Sequence, residues 1–219
     1  MQQTLIYVHD PMCSWCWGFE PTRKVIFAAV AERMRIRRLV GGLAPDSEEP
    51  MPSEMAAMLQ QTWQRIEQTI PGTRFNYAFW EQCSPRRSTY PANRAVIAAR
   101  EQGDEYDEAM TSRIQQAYYL QARNPSDNST LIELAADIGL DAEKFAQSLV
   151  AESTQQKLLA EIQSARSMGI NSFPSLAVAQ GGVLRHIGLN YTDPQAMLEQ
   201  IEDGSGWPGS RGPGVDDVH

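Results

Sequence analysis

The chain opens on a short apolar run, Leu5-Ile6-Tyr7-Val8, stopped by His9-Asp10-Pro11. A run of this length, rich in β-formers and closed by a turn signal, predicts a buried strand. A helix is expected from near Ser14 to about Glu32, with Pro21 inside it, where a proline removes one hydrogen bond. Residues 35–40 predict a second strand, closed by Gly41-Gly42. Strand, helix and strand in about 40 residues form a βαβ unit with a right-handed crossover.

From Met51 to about Gly169 the pattern turns helical. Met55, Met58, Leu59, Trp63, Ile66 and Ile70 recur at three or four residues, the stripe of an amphipathic helix. Pro52 suits its first turn and Gly72 its end. An aromatic-rich connection over 75–90 leads to a helix opened by Pro91 and closed near Gly103. Asp104 can cap the next helix. Thr130-x-x-Glu133 and Ser153-x-x-Gln156 resemble capping boxes, and Asp141 opens a short helix between them. Strand signals return over 173–179 and 183–187, joined by Gln180-Gly181-Gly182 as a hairpin turn. A last helix is expected after Thr192 as cap, with Pro194 in its first turn.

The layout is therefore βαβ, about 120 helical residues, then ββα. Neither flank is large enough to fold alone. Residues 1–45 and 169–203 are expected to complete one α/β domain, with residues 46–168 an all-helical insertion. Residues 204–219, rich in Gly and Pro without period, read as a disordered tail.

Composition sharpens this in a few places. The net charge is −8 over 219 residues. Residues 1–44 carry net +3 and the remainder −11. That acidic excess argues against nucleic acid as a partner. The cluster Arg33-Met34-Arg35-Ile36-Arg37-Arg38 reads as the end of a helix, with Arg33 in its last turn, followed by a strand with one solvated face. No apolar run approaches the roughly 20 residues that span a bilayer, so no membrane partner is expected. No leader pattern opens the chain. A cytoplasmic location is the expectation, or a periplasmic one if a leader was removed.

Three cysteines are too few for a disulfide framework. Two of them form Cys13-Ser14-Trp15-Cys16, where the first strand meets the first helix. A thiol attacks a disulfide only as thiolate. Unpaired N–H groups and the positive dipole end at a helix start favour that anion. Cys16, one turn on, can attack a mixed disulfide at Cys13. Cys13 is thus the expected nucleophile and Cys16 the resolving thiol. The alternatives are two inert buried cysteines, or structural zinc, which wants four N/S ligands where this motif offers two. No metal is expected.

Phe173-Pro174, opening a late strand, is the second element. Together with the Cys-x-x-Cys, a proline five residues after it and a Gly-Gly hairpin, it resembles the thioredoxin fold. The helical insertion makes the chain similar to the DsbA family. The stretch from Asp10 to Phe19 resembles a bacterial branch described as dithiol–disulfide isomerases, as do Phe75-Asn76-x-x-Phe79-Trp80, Pro91-Ala92-x-Arg94-Ala95 and Gly169-Ile170-Asn171-Ser172-Phe173-Pro174-Ser175. The similarity spans about residues 4–202.

The resemblance implies a thioredoxin-like α/β fold with a large helical insertion. It also implies a cis Pro174 against the Cys13 sulfur, with Phe173 offering backbone groups to an extended substrate. By position alone the favoured reading is a trans Pro174 at the first residue of a strand. The best-known periplasmic oxidants of the family carry a histidine between their cysteines. Ser14-Trp15 supplies no cation, which implies a less oxidising couple and favours the isomerase or reductase direction.

Other residues carry two readings each. Ser14 and Trp15 join Phe173 and Pro174 as expected substrate contacts, with Trp15 an exposed lip or part of the packing. Asp10 is either a proton relay for Cys16 or a turn residue before Pro11. His9 is a strand-end residue or a tuner of the thiols. Trp17 and Phe19 read as core. Cys83 reads as an incidental thiol or an auxiliary redox group. The methionines Met51, Met55 and Met58 read as core or as an adaptable peptide surface.

The expected activity is thiol–disulfide exchange with protein or low-molecular-weight thiol partners. It needs no dissociable cofactor, and glutathione is admissible as co-substrate. Two alternatives remain. One is a glutathione-dependent enzyme resembling kappa-class transferases or 2-hydroxychromene-2-carboxylate isomerases, which typically have serine where Cys13 stands. The other is a thioredoxin-like module that binds peptides without turnover.

Overall fold

In the computed structural model, which describes residues 3–203, the first apolar run forms β1, Thr4–His9. Its side chains alternate between two buried faces. Leu5 and Tyr7 pack with Phe19, Ile26 and Phe27. Ile6 and Val8 pack with Leu39, Ala165 and Ile170. Burial on both sides explains an unbroken apolar run in place of an alternating one, and each such side chain removed from water contributes about 1.5–3 kcal/mol.

Helix α1, Ser14–Val30, follows, then β2, Arg35–Val40, which pairs parallel with β1. Seven helices come before the next strand. They are α2 (Ser53–Thr69), α3 (Phe79–Gln82), α4 (Tyr90–Arg100), α5 (Tyr106–Gln121), α6 (Asn128–Asp137), α7 (Ala142–Leu149) and α8 (Glu152–Ser167). Strands β3, Ser175–Gln180, and β4, Val183–Ile187, form an antiparallel hairpin. Helix α9, Pro194–Asp203, closes the described chain. The expectation of a disordered tail at 204–219 lies outside the described residues.

The sheet order is β2-β1-β3-β4, with β1 antiparallel to β3. Helices α1 and α9 cover one face through Phe19, Ile26, Met197 and Ile201. The other face is covered by α8, whose Ala165 sits among Ile6, Val8 and Ala177. Helix α8 thus serves two cores, since Leu158 and Ile162 pack with α4 to α7.

A third cluster is aromatic: Trp63, Phe75, Phe79, Tyr118 and Tyr119, with Trp15 and Trp17 against its edge. Charged groups meet where α5 docks on the sheet layer. Arg23 and Arg38 both reach Glu108, at 3.1 and 2.8 Å, and Arg100 bonds Asp107 at 2.7 Å.

Several local expectations give way to different caps. Helix α6 starts at Asn128 and α8 at Glu152, so Thr130 and Ser153 lie inside helices instead of capping them. The last helix is capped by Asp193, whose Oδ1 accepts from the N–H groups of Gln195 and Ala196, not by Thr192. Asp104 gives no side-chain cap to α5, whose N-cap is Glu105. Asp141 does cap α7, accepting from Glu143 and Lys144. Arg33 lies beyond the end of α1 and pairs with Glu202 at 2.6 Å. In the α2 stripe only Trp63, Ile66 and Ile70 are core; Met51, Met55, Met58 and Leu59 are half-buried.

Candidate active site

The end of β1 delivers the chain into a tight turn. The Met12 N–H donates to Asp10 Oδ1 at 2.8 Å, and the Cys13 N–H donates to the Asp10 carbonyl at 3.0 Å. Cys13 is the N-cap of α1 in extended conformation, and Trp17 N–H bonds its carbonyl at 3.1 Å. The sulfur of Cys13 therefore stands at the positive end of a 17-residue helix. Cys16 lies one turn deeper, and both are free thiols.

The two thiols are unequal. Cys13 is 7% exposed and Cys16 1%. Burial pushes the Cys16 thiol well above its ordinary range, and the hydrogen bond and charge of Cys13 push the same way. Cys16 is thus the more buried and the more firmly protonated of the two.

The Phe173–Pro174 peptide is cis. The Cys13 thiol donates to the Phe173 carbonyl at 3.4 Å. The Phe173 ring lies over Gly41, where a Cβ would stand 2.1 Å from the ring. The glycine after β2 is therefore required by the close approach of this loop. Pro174 is buried and Phe173 half-exposed.

Of the residues between the cysteines, Ser14 is nearly closed off at 9% exposure. Trp15 is half-exposed, its ring 5.1 Å from that of Tyr191. Trp17 is also half-exposed, stacked on Tyr119 at 5.7 Å and donating from Nε1 to the Arg74 carbonyl at 3.0 Å. Phe19 is fully buried.

Asp10 is fully buried and held by four donors. Besides Met12, its Oδ2 accepts from the Leu43 N–H at 2.7 Å, the Thr89 hydroxyl at 2.7 Å and the Asn93 amide at 2.8 Å. Burial raises its pKa, while the four donors act to lower it. The carboxylate ties the motif to the loop after β2 and to the start of α4. The turn reading is visible in the Met12 bond; the cross-links to Thr89 and Asn93 are what sequence reasoning missed. Their one signal is polarity on an apolar face, since Asn93 is buried among Ala92, Ala95 and Val96.

Two further groups were missed. Tyr7, buried on β1, has its phenol raised first by burial and next by Cys16. Tyr191 contacts Trp15 and Phe19 and is likewise raised by burial, then by the charges of Cys13 and Cys16. His9 is stacked on Tyr7 at 4.9 Å, and both ring nitrogens are buried without a protein partner. Burial, then Arg23, Arg100 and Arg38, lower its pKa to about 3, so it stands neutral beside the motif. Cys83 donates to the Ala122 carbonyl at 3.1 Å, and its thiol is raised by burial and Asp127. No helix among the described residues is long and apolar enough to cross a membrane.

Comparison with known proteins fits this geometry. A family model described as thioredoxin matches residues 6–197. Among solved structures, a candidate protein disulfide isomerase from Nitrosomonas europaea superposes with TM-score 0.81 at 28% identity, covering 93% of this chain and 97% of the other. The cytosolic disulfide reductase DsbM from Pseudomonas aeruginosa gives 0.72 at 26%, covering 92% and 98%; DsbM has also been solved with GSH. Among curated proteins, the ClpXP adapter protein SpxH of Halalkalibacterium halodurans is 26% identical over 170 residues, 76% of this chain and 55% of SpxH. SpxH of Bacillus subtilis is 24% identical over 167 residues, 76% and 55%. The chain thus spans about half the length of the curated relatives it matches. With the family model covering most of the chain, and with these structural neighbours superposing over more than nine-tenths of it, this chain belongs to the thioredoxin family and has the DsbA-like architecture.

Proposed function

We propose that the protein is a thiol–disulfide oxidoreductase working through Cys13 and Cys16, in the reductase or isomerase direction. The Cys13 thiolate attacks one sulfur of a substrate disulfide. A Cys13–substrate disulfide forms and the first substrate thiolate leaves. Cys16 then loses its proton and attacks the Cys13 sulfur, releasing the second thiolate. The substrate has gained two electrons and the protein holds a Cys13–Cys16 disulfide. A thiol donor such as glutathione reverses that oxidation and closes the cycle. In the isomerase direction, a second thiol of the same substrate displaces Cys13.

The observation that carries this reading is the asymmetry of the pair. One thiol stands at a helix N-cap against the Phe173 carbonyl. The other is buried behind it and held protonated. The neighbour named as a cytosolic disulfide reductase, and its structure with GSH, support the reductive direction and glutathione as donor. The absence of a cation in Ser14-Trp15 supports it as well.

The test is turnover of hydroxyethyl disulfide at the expense of glutathione. Cys13→Ser is expected to fall to background, and equal turnover by Cys13→Ser, Cys16→Ser and wild type refutes the assignment. The couple's reduction potential against glutathione then gives the direction, on a scale where 30 mV is about 1.4 kcal/mol.

A second reading is favoured by the curated relatives, which are named ClpXP adapter proteins. On that reading the same surface holds a polypeptide without turnover. Binding of a peptide with no disulfide reduction would support it.

A further inference from the structure

Beside Phe173, whose carbonyl meets Cys13, lies a cavity of about 460 Å³, within the range of small-molecule sites. Its walls come from three places: Gly41, Gly42 and Leu43 after β2, Ile162, Ala165 and Arg166 on the last turns of α8, and Ile170, Asn171 and Phe173 on the loop before β3. We infer that this cavity is a substrate subsite, and that Arg166 in it binds a carboxylate of the disulfide substrate. The inference rests on the thiol–disulfide exchange reading and adds a substrate class to it.

Three observations carry it. First, position: Phe173 is shared. Its carbonyl accepts from the Cys13 thiol at 3.4 Å while the residue also lines the cavity. The residue that meets the Cys13 sulfur is thus also part of the cavity lining.

Second, the floor is held open by backbone. Gly41 has no room for a Cβ against the Phe173 ring. Gly42 stands at φ +63°, and a Cβ there would meet Ile162 at 2.4 Å. A Cβ at either position would displace a neighbouring side chain, and at Gly42 the backbone itself favours glycine.

Third, charge. Arg166 is the one ionisable residue lining the cavity, and no Asp or Glu lines it. Arg166 is exposed, and among the described residues its guanidinium has no hydrogen-bond or ion-pair partner. Many other arginines are paired, as Arg94 is with Asp46 and Arg123 with Glu133. In a chain of net charge −8, an acid-free cavity with a free guanidinium selects an anion. A planar fork of donors matches a carboxylate in particular. Asn171, exposed and also in the lining, adds neutral donors and acceptors. The apolar walls of Leu43, Ile162 and Ile170 suit the carbon chain that carries the carboxylate.

The test compares two small disulfides of similar size, dianionic 3,3′-dithiodipropionate and dicationic cystamine. In wild type the anionic disulfide has the higher kcat/KM. Arg166→Ala is expected to lower the anionic-to-cationic ratio about tenfold, equivalent to about 1.4 kcal/mol. Arg166→Lys restores part of the ratio and Arg166→Glu inverts it. A ratio unchanged across these variants overturns the inference, including the case where every rate falls together.

A second arm needs no turnover. S-methylglutathione carries two carboxylates and no exchangeable sulfur, and its affinity is measured by calorimetry. Weaker binding to Arg166→Ala supports the subsite. Equal affinity, or no binding to wild type, overturns it. If wild type reduces no disulfide yet binds this probe through Arg166, the exchange reading fails and the subsite stands.

Discussion

His9 sets a specific expectation for acid stability. It ends β1, 1% exposed, with both ring nitrogens unpartnered by protein and its ring stacked on Tyr7. Arg23, Arg100 and Arg38 add to the burial that drives its pKa from 6.5 to about 3. In the unfolded chain the ring takes a proton as pH falls through 6.5, while in the folded chain it does not. The unfolded state then binds more protons, so stability is lost as pH falls, beginning near 6.5 and saturating near 3. The loss is about 1.4 kcal/mol per pH unit, and about 5 kcal/mol across that whole interval. Since folded domains are stable by about 5–15 kcal/mol, this one ring can decide the acid limit of the protein. His9→Phe keeps an aromatic ring against Tyr7 and removes the titration. The assay is urea unfolding of both proteins at pH 7.5, 6.0, 5.0 and 4.5. The variant is expected to gain on wild type by about 1.4 kcal/mol for each pH unit below 6. Carboxylates such as Asp10 and Glu108 titrate in both proteins and cancel in the difference. A difference that stays flat with pH refutes the reasoning.

Two further predictions concern the frame around the thiols. Asp10→Ala removes the acceptor of the Leu43 N–H, while the Thr89 hydroxyl keeps the Ala44 carbonyl at 3.3 Å and the Asn93 amide keeps the Thr89 carbonyl at 2.8 Å, and should cost about 2 kcal/mol in urea; a loss under about 0.5 kcal/mol would contradict the tie. Gly41→Ala places a Cβ 2.1 Å from the Phe173 ring. The Phe173 ring must move; the loop that carries its carbonyl is expected to move with it, and disulfide turnover should drop about tenfold or more while far-ultraviolet dichroism is unchanged; full activity would contradict the coupling of ring and carbonyl.

The elements that position the site were legible because they rest on local chemistry. The apolar run of β1, the thiol pair at a helix start and the Gly-Gly hairpin each lie within a few residues of sequence. The caps were less legible. Thr130-x-x-Glu133 fits a capping pattern, yet Asp127 precedes the first turn and the helix begins before Thr130. The α2 stripe shows the limit of periodicity: it has one apolar face, but only its C-terminal half meets the aromatic cluster. What sequence could not show is long-range. Asp10 finds Leu43, Thr89 and Asn93 at separations of 33, 79 and 83 residues. Arg166 gains meaning only because α8 covers the sheet beside Phe173. Phe173 itself was placed near Cys13 through a family resemblance, and nothing in the spacing required it.

The most direct measurement of the central claim is the intact mass of Cys16→Ser protein after mixing with a disulfide-bonded peptide. The account predicts one stable peptide adduct that maps to Cys13, with no equivalent adduct on Cys13→Ser protein. An adduct that maps to Cys83, or that forms equally well without Cys13, would contradict it.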